Sequence, residues 1–126
     1  MNKKILIVDD EPAILRILGD VLTDEGYNVI AATDGETGIE KAKVSNPDLI
    51  ILDVMLPGIN GFEVCKLLKE NEQTKKISII ILTGISTLVE HKQKALQLGA
   101  DDYITKPFDM SDLLNRVKTL ASQQSE

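Results

Sequence analysis

Asp9, Asp10 and Glu11 follow directly on the apolar run Ile5–Val8, delivering three negative charges to one point of the chain. Three other groups stand in the same relation to apolar runs. Asp53 follows Leu49-Ile50-Ile51-Leu52, Thr83 follows Ile79-Ile80-Ile81-Leu82, and Lys106 follows Asp102–Thr105. Carboxylates supplied by separate segments make a hard oxygen site suited to Mg²⁺, with Mn²⁺ as a substitute; such a site keeps waters and takes a phosphate oxygen as a further ligand. The charges balance: Asp9, Asp10 and Asp53 carry −3, and Mg²⁺ with Lys106 carries +3. No Ser–His or Cys–His pair offers a nucleophile, since the only histidine is His91, on a predicted helix, and the only cysteine is Cys65. A carboxylate can itself be the nucleophile and form an aspartyl phosphate. Metal and lysine would then offset charge on the phosphoryl oxygens.

Each of these residues also has a plain structural role open to it. Asp10 or Glu11 could cap the helix that Pro12 begins. Asp53 could open the turn Met55-Leu56-Pro57-Gly58, Thr83 could end a strand, and Lys106 could be a solvated charge before Pro107. What argues for chemistry is their arrival at one place, which depends on the elements that carry them.

Short, β-branched apolar runs predict strands at Lys4–Val8, Asn28–Ala32, Leu49–Leu52, Ser78–Leu82 and Asp102–Thr105. Runs such as Leu49–Leu52 show no polar alternation, the pattern of strands buried on both faces of a parallel sheet. Helical spacing predicts helices over Pro12–Glu25, Glu36–Ser45, Phe62–Glu70, Leu88–Leu98 and Met110–Ser122. The first places Ile14, Ile17, Leu18, Val21 and Leu22 on one stripe and stops at Gly26; the fourth stops at Gly99; the last takes Asp109 as N-cap. A β-α unit repeated five times predicts an α/β fold, a (βα)5 doubly wound parallel sheet with right-handed crossovers and helices on both faces. In such a sheet all strands end on the same edge, where ligands bind. That edge gathers Asp9, Asp10, Asp53, Thr83 and Lys106.

At 126 residues the chain fits one domain, read as residues 1–122 with a tail at 123–126. The net charge of −6 argues against direct nucleic-acid binding, which needs a basic face. The four apolar residues before the acids are too few for a signal peptide or membrane span, and a lone cysteine gives neither a disulfide framework nor a cysteine metal site. Cys65 reads as a small core residue. A cytoplasmic protein with no membrane contact is the expectation.

The segments Val8-Asp9-Asp10-Glu11, Asp53-Val54-Met55-Leu56-Pro57-Gly58, Leu82-Thr83-Gly84 and Tyr103-Ile104-Thr105-Lys106-Pro107-Phe108, taken in order, resemble a response-regulator receiver domain of two-component signalling, of the chemotaxis-regulator-like kind. The resemblance covers essentially the whole chain and implies the flavodoxin-like strand order 2-1-3-4-5. It implies that Asp53 accepts a phosphoryl group from a histidine kinase or a histidine phosphotransfer protein. Asp10, Asp53 and the backbone carbonyl of Met55 would ligate Mg²⁺ directly, and Asp9 through a metal-bound water. Lys106 would pair with Asp53 and then with the phosphoryl oxygens, Thr83 would hydrogen-bond the phosphoryl group, and Tyr103 would turn inward as Thr83 moves. A cis Lys106–Pro107 peptide is implied as well. The output would be altered binding of a downstream protein through helix four, strand five and helix five, as a monomer or a phosphorylation-dependent dimer. Such a domain is no turnover enzyme; it catalyses only its own phosphotransfer and autodephosphorylation.

Two features depart from the family pattern. Gly84 stands where alanine is frequent, and the spacing from Thr83 to Lys106 is one residue longer than in common members, with the extra residue expected in Gly84–Thr87 or the fourth helix. Three other readings remain for this sequence. A flavodoxin-type electron carrier would want a hydroxyl-rich loop after strand one and aromatics around a flavin. A Mg²⁺-dependent phosphohydrolase would want an acid where Met55 stands. A receiver that only binds partners would not need the complete set of acids, threonine and lysine.

Overall fold

A computed structural model describes residues 3–84 and 89–123. Five strands, β1 (Lys4–Val8), β2 (Asn28–Ala32), β3 (Leu49–Leu52), β4 (Ser78–Thr83) and β5 (Asp102–Thr105), alternate with five helices. The helices are α1 (Pro12–Asp24), α2 (Gly35–Ser45), α3 (Gly61–Glu70), α4 (Val89–Gln97) and α5 (Met110–Ser122). All strand pairs are parallel and the order is β2-β1-β3-β4-β5, the expected doubly wound arrangement.

Successive residues of each strand point to opposite faces, and the core divides accordingly. Leu6, Val8, Ile50, Leu52, Ile79, Ile81 and Tyr103 pack with Ala42 of α2, with Phe62, Cys65 and Leu68 of α3, and with Ala95 of α4. Ile5, Ile7, Leu49, Ile51, Ile80, Leu82 and Ile104 pack with Leu18 and Leu22 of α1 and with Leu113 and Val117 of α5. The central strands β1, β3 and β4 are therefore apolar at nearly every position because both faces are covered. Edge strand β2 is the exception, with Asn28 and Ala31 exposed.

The helix ends follow local chemistry. Asp34 and Asn60 accept the backbone N–H groups of Thr37 and Glu63, so α2 and α3 each begin one residue earlier than the sequence pattern suggests. Asp109 caps α5 as expected, accepting from Ser111. Helix α1 ends at Asp24 rather than Glu25, and both α1 and α4 close with the paired 6→1 and 5→2 bonds of a Schellman motif. Tyr27 N–H donates to Leu22 and Gly26 N–H to Thr23; Ala100 N–H donates to Ala95 and Gly99 N–H to Leu96. Gly26 and Gly99 sit at φ +97° and +105°, a region costly for residues with a Cβ. Strand β4 runs one residue past its expected end, to Thr83. Helix α4 ends at Gln97, and its expected first residue, Leu88, lies outside the described residues, as does the 85–87 part of the segment expected to hold the extra residue.

One expectation for α1 needs correction. Ile17, placed on the inward stripe, is 50% exposed, whereas Leu18 and Leu22 are fully buried. At 100° per residue a five-member stripe spans more of the helix than one flat sheet face can cover, and Ile17 falls at its margin. Leu22→Ala should lower unfolding free energy by about 2–5 kcal/mol, and Ile17→Ala by about 1 kcal/mol or less because little apolar area leaves water. Urea denaturation of the two variants measures the contrast.

Candidate functional site

Strand register sets the positions of the polar groups. Val8 pairs with Leu52, so Asp9 and Asp53 leave adjacent strands side by side. Backbone bonds hold them there: Asp53 N–H donates to the Val8 carbonyl at 2.9 Å and Asp9 N–H to Ala32 at 3.1 Å. Leu52 pairs with Ile81 and Thr83 with Thr105, so Thr83 stands one residue further out than Asp53 and Lys106 one further still. Lys106 N–H donates to the Thr83 carbonyl at 2.9 Å, and the Lys106–Pro107 peptide is cis, as the resemblance implies. The long lysine stem lets its ammonium reach back from this outermost position to the acids.

The Lys106 ammonium lies 2.9 Å from Asp9 Oδ2, 2.8 Å from Glu11 Oε1 and 3.3 Å from Asp53 Oδ2. The Asp9 and Asp53 side chains are buried, and Asp10 is exposed beside them. One carboxylate oxygen from each of Asp9, Asp10 and Asp53 falls within 4.8 Å of the others. Burial pushes the Asp9 carboxyl above its usual value, and nearby Asp53 adds to this; the Glu11 N–H and Lys106 pull the other way without cancelling it. Burial also disfavours the charged form of Lys106, but hydrogen bonds to Glu11 and Asp9 and the charges of Asp9 and Asp53 outweigh it and hold the ammonium well above its usual value. The residues fit a divalent cation. Hard oxygen donors converge, and one lysine leaves part of their negative charge unbalanced. Asp9, Asp10 and Asp53 are the side chains that would hold Mg²⁺.

Thr83 is fully buried at the end of β4. Tyr103 is buried in the core face shared with α2, α3 and α4, so it already occupies an inward position, and burial raises its phenol above the usual value. Gly84 lies over the Lys106 stem; a Cβ there would meet Lys106 Cβ at 3.7 Å, ordinary contact, so the site has room for the frequent alanine. Met55 is 60% exposed, and its N–H donates to Asp53 Oδ1 at 3.3 Å. A cavity of about 520 Å³ opens beside the acids, lined by Asp10, Val54, Met55, Leu56, Pro57, Asn60 and Phe62. Phe62 carries the Lys94 ammonium 4.8 Å from its ring centroid and His91 at 6.2 Å. Cys65 is core, as expected, with its thiol pushed up to about 11 by burial.

Sequence reasoning missed Glu11. Its side chain makes no capping bond, although Glu11 occupies the N-cap position of α1. Instead Asp9 Oδ1 accepts the Glu11 N–H at 2.9 Å, and the Glu11 carboxylate is freed for Lys106. The helix-capping alternative for this acid is thus set aside. Its signal was the order of the acids: one buried acid at the strand end can take the backbone bond and turn the next acids outward.

A family model for the response regulator receiver domain matches residues 5–118. The alkaline phosphatase synthesis transcriptional regulatory protein PhoP of Bacillus subtilis is 48% identical over 120 residues, covering 95% of this chain and 49% of its own length. The response regulator ArlR of Staphylococcus aureus is 45% identical over 98% of the chain and 54% of its own length. The chain thus spans about half the length of these curated relatives. A crystal structure of a putative response regulator from Chloroflexus aurantiacus superposes with a TM-score of 0.91 at 35% identity, covering 98% of this chain and all of that one.

Two outcomes are expected of the metal-free and metal-loaded protein. Asp9 is raised above 3.8, so it costs stability as pH rises from that value through its folded one, and above that range the buried carboxylate is only partly compensated by Lys106. Mg²⁺ should raise the melting temperature at neutral pH, less so near pH 4, and hardly at all in Asp10→Ala. A melting curve insensitive to saturating Mg²⁺ contradicts the metal assignment. Lys106 is raised, so its contribution is complete below the ordinary lysine value and is lost as pH rises through the folded one. Glu11→Gln removes one partner of the ammonium and should cost part of that contribution at neutral pH, which urea denaturation of metal-free wild type and variant measures.

Proposed function

The chain belongs to the response regulator receiver domain family, and from this premise we propose a phosphorylation-driven switch in which Asp53 is the phosphoacceptor. The observation that carries the reading is the Lys106 ammonium held between Asp9 and Asp53 at the end of the parallel sheet. An Asp53 carboxylate oxygen attacks the phosphorus of a phosphohistidine on a histidine kinase or histidine phosphotransfer protein. The P–N bond breaks as the acyl phosphate forms, and water later returns the carboxylate and inorganic phosphate. Asp10, Asp53 and the Met55 carbonyl would hold Mg²⁺ directly and Asp9 through a metal-bound water, and the ion would supply positive charge to offset that of the phosphoryl oxygens. Lys106, already charged and already in contact with Asp53, supplies a second positive group without reorganisation. Thr83 donates its hydroxyl to the phosphoryl group.

The domain is a signalling domain, and its own phosphotransfer and autodephosphorylation are the only reactions proposed for it. Output runs through α4, β5 and α5 to a downstream protein, as monomer or phosphorylation-dependent dimer. Residues 1–122 form the receiver unit with 123–126 as a tail; 124–126 lie outside the described residues. No helix among the described residues is long and apolar enough to cross a membrane. A cytoplasmic setting without direct nucleic-acid contact by this domain remains the proposed one. Between subtypes, the 48% identity to a transcriptional regulatory protein favours a receiver of that class over the chemotaxis-like kind.

Incubation with a small acyl phosphate and Mg²⁺ should add one phosphoryl mass to the wild-type protein and none to Asp53→Ala. Thr83→Ala should still be phosphorylated but lose the coupling to Tyr103. A charge-assisted hydrogen bond contributes roughly 1.5–3 kcal/mol, enough for about a ten- to hundredfold population shift. Chemical shifts recorded with and without beryllofluoride should change through α4, β5 and α5 in the wild type. Changes confined to the acidic edge would leave a phosphate-binding site and no switch.

A further inference from the structure

The loop between β3 and α3 carries two of the proposed metal donors, Asp53 and Met55, and its far end is buried against its beginning. Gly61, the first residue of α3, is buried and donates its N–H to the Val54 carbonyl at 2.9 Å. Leu56 N–H donates to the same carbonyl at 3.0 Å, and Asn60 caps the helix through Glu63 N–H. The close approach leaves no room for a side chain. A Cβ at position 61 would overlap the Asp53 carbonyl oxygen and lie 2.7 Å from the Val54 α-carbon and 2.8 Å from the Asp53 carbonyl carbon. All three are backbone atoms, so no side-chain rotation relieves the overlap.

We propose that Gly61 is a positioning residue for the phosphoacceptor: its missing side chain seats the N-terminus of α3 directly on the Asp53–Val54 peptide and thereby sets where the Asp53 carboxylate and the Met55 carbonyl stand. The proposal rests on the metal-binding reading above and adds a residue that touches neither the metal nor the phosphoryl group. On the other side the Asp53 N–H is fixed to β1 through the Val8 carbonyl. The acceptor residue is therefore clamped between a strand and a helix end. A methyl group at position 61 has two ways out, a shift of the Asp53–Val54 backbone or a lifting of α3, and both move donors relative to Asp9 and Asp10 by a distance on the order of an ångström, beyond what a preorganised constellation tolerates.

The test compares Gly61→Ala with Gly26→Ala. Position 26 has a positive φ and nothing within 4 Å of its would-be Cβ, so alanine there strains the α1–β2 turn, at the opposite edge of the sheet, without touching the acids. Melting temperature and Mg²⁺ affinity by isothermal titration are measured on both variants and on wild type. Gly61→Ala should bind Mg²⁺ roughly tenfold or more weakly, and Gly26→Ala should match wild type despite a lowered melting temperature. Unchanged Mg²⁺ affinity in Gly61→Ala, or an equal loss in Gly26→Ala, overturns the positioning role while leaving the functional reading intact. Failure of wild type itself to bind Mg²⁺ defeats the functional reading, and with it this inference. Should Gly61→Ala not fold, amide shifts of the wild type decide. On Mg²⁺ titration the Gly61 amide should move in step with those of Asp53 and Met55 while that of Gly26 stays, and a stationary Gly61 amide overturns the proposal.

Discussion

One ammonium group shared by three carboxylates is the constraint around which this molecule is arranged. Asp9 and Asp53 are buried side by side, an arrangement that repels itself and loses hydration. Lys106 meets both of them, and Glu11 as well, from the far end of the sheet. Burial disfavours the charge on this lysine, yet the acids outweigh it and hold the ammonium above its usual value. The ammonium meets two buried carboxylates and one exposed one, so the positive charge sits where the negative charges converge. The sheet contributes by fixing strand ends whose spacing no side-chain motion alters.

Much of this was legible from residue types. Uninterrupted apolar runs such as Leu49–Leu52 marked strands covered on both sides, and the polar residues that end them marked the edge where a site would form. The set of Asp9, Asp10, Asp53, Thr83 and Lys106 was readable for that reason. Glu11 was not, because its role depends on which backbone N–H its neighbour Asp9 captures, a choice made by three-dimensional geometry. Ile17 misled in the opposite sense: helical spacing shows that a residue is near an apolar face, but not how wide the sheet beneath it is. Gly61 gave no signal at all, since a glycine opening a helix looks like a weak N-terminus until the Asp53 peptide is found lying against it.

The two core faces also differ in what they connect. The face under α1 and α5 is built from the strand residues adjacent in sequence to those that face α2, α3 and α4. Tyr103 belongs to the second face, together with Phe62, which lines the cavity beside Asp10. Any displacement of α4 is thus felt by a ring stacked under Lys94 and by the wall of the acidic cavity in the same motion. Packed interiors pass such changes on because they have little free volume to absorb them.

The pairing of Thr83 with Thr105 has a consequence for how this sequence can vary. Thr83 and Lys106 are both anchored by ladder bonds at that level, Thr83 by its own place in β4 and Lys106 through its N–H to the Thr83 carbonyl. Between them in sequence lies α4, and the chain is back at the edge at the end of β5. The length of the α4 crossover is therefore decoupled from the chemistry: residues added or lost there, before β5, leave the ladder that positions Thr83 and Lys106 in register. A deletion inside β4 or β5 is a different matter, because a shift of one residue turns every side chain to the opposite face. A change of length along the α4 crossover therefore alters the surface that α4 presents while the ladder holds the charge cluster in shape.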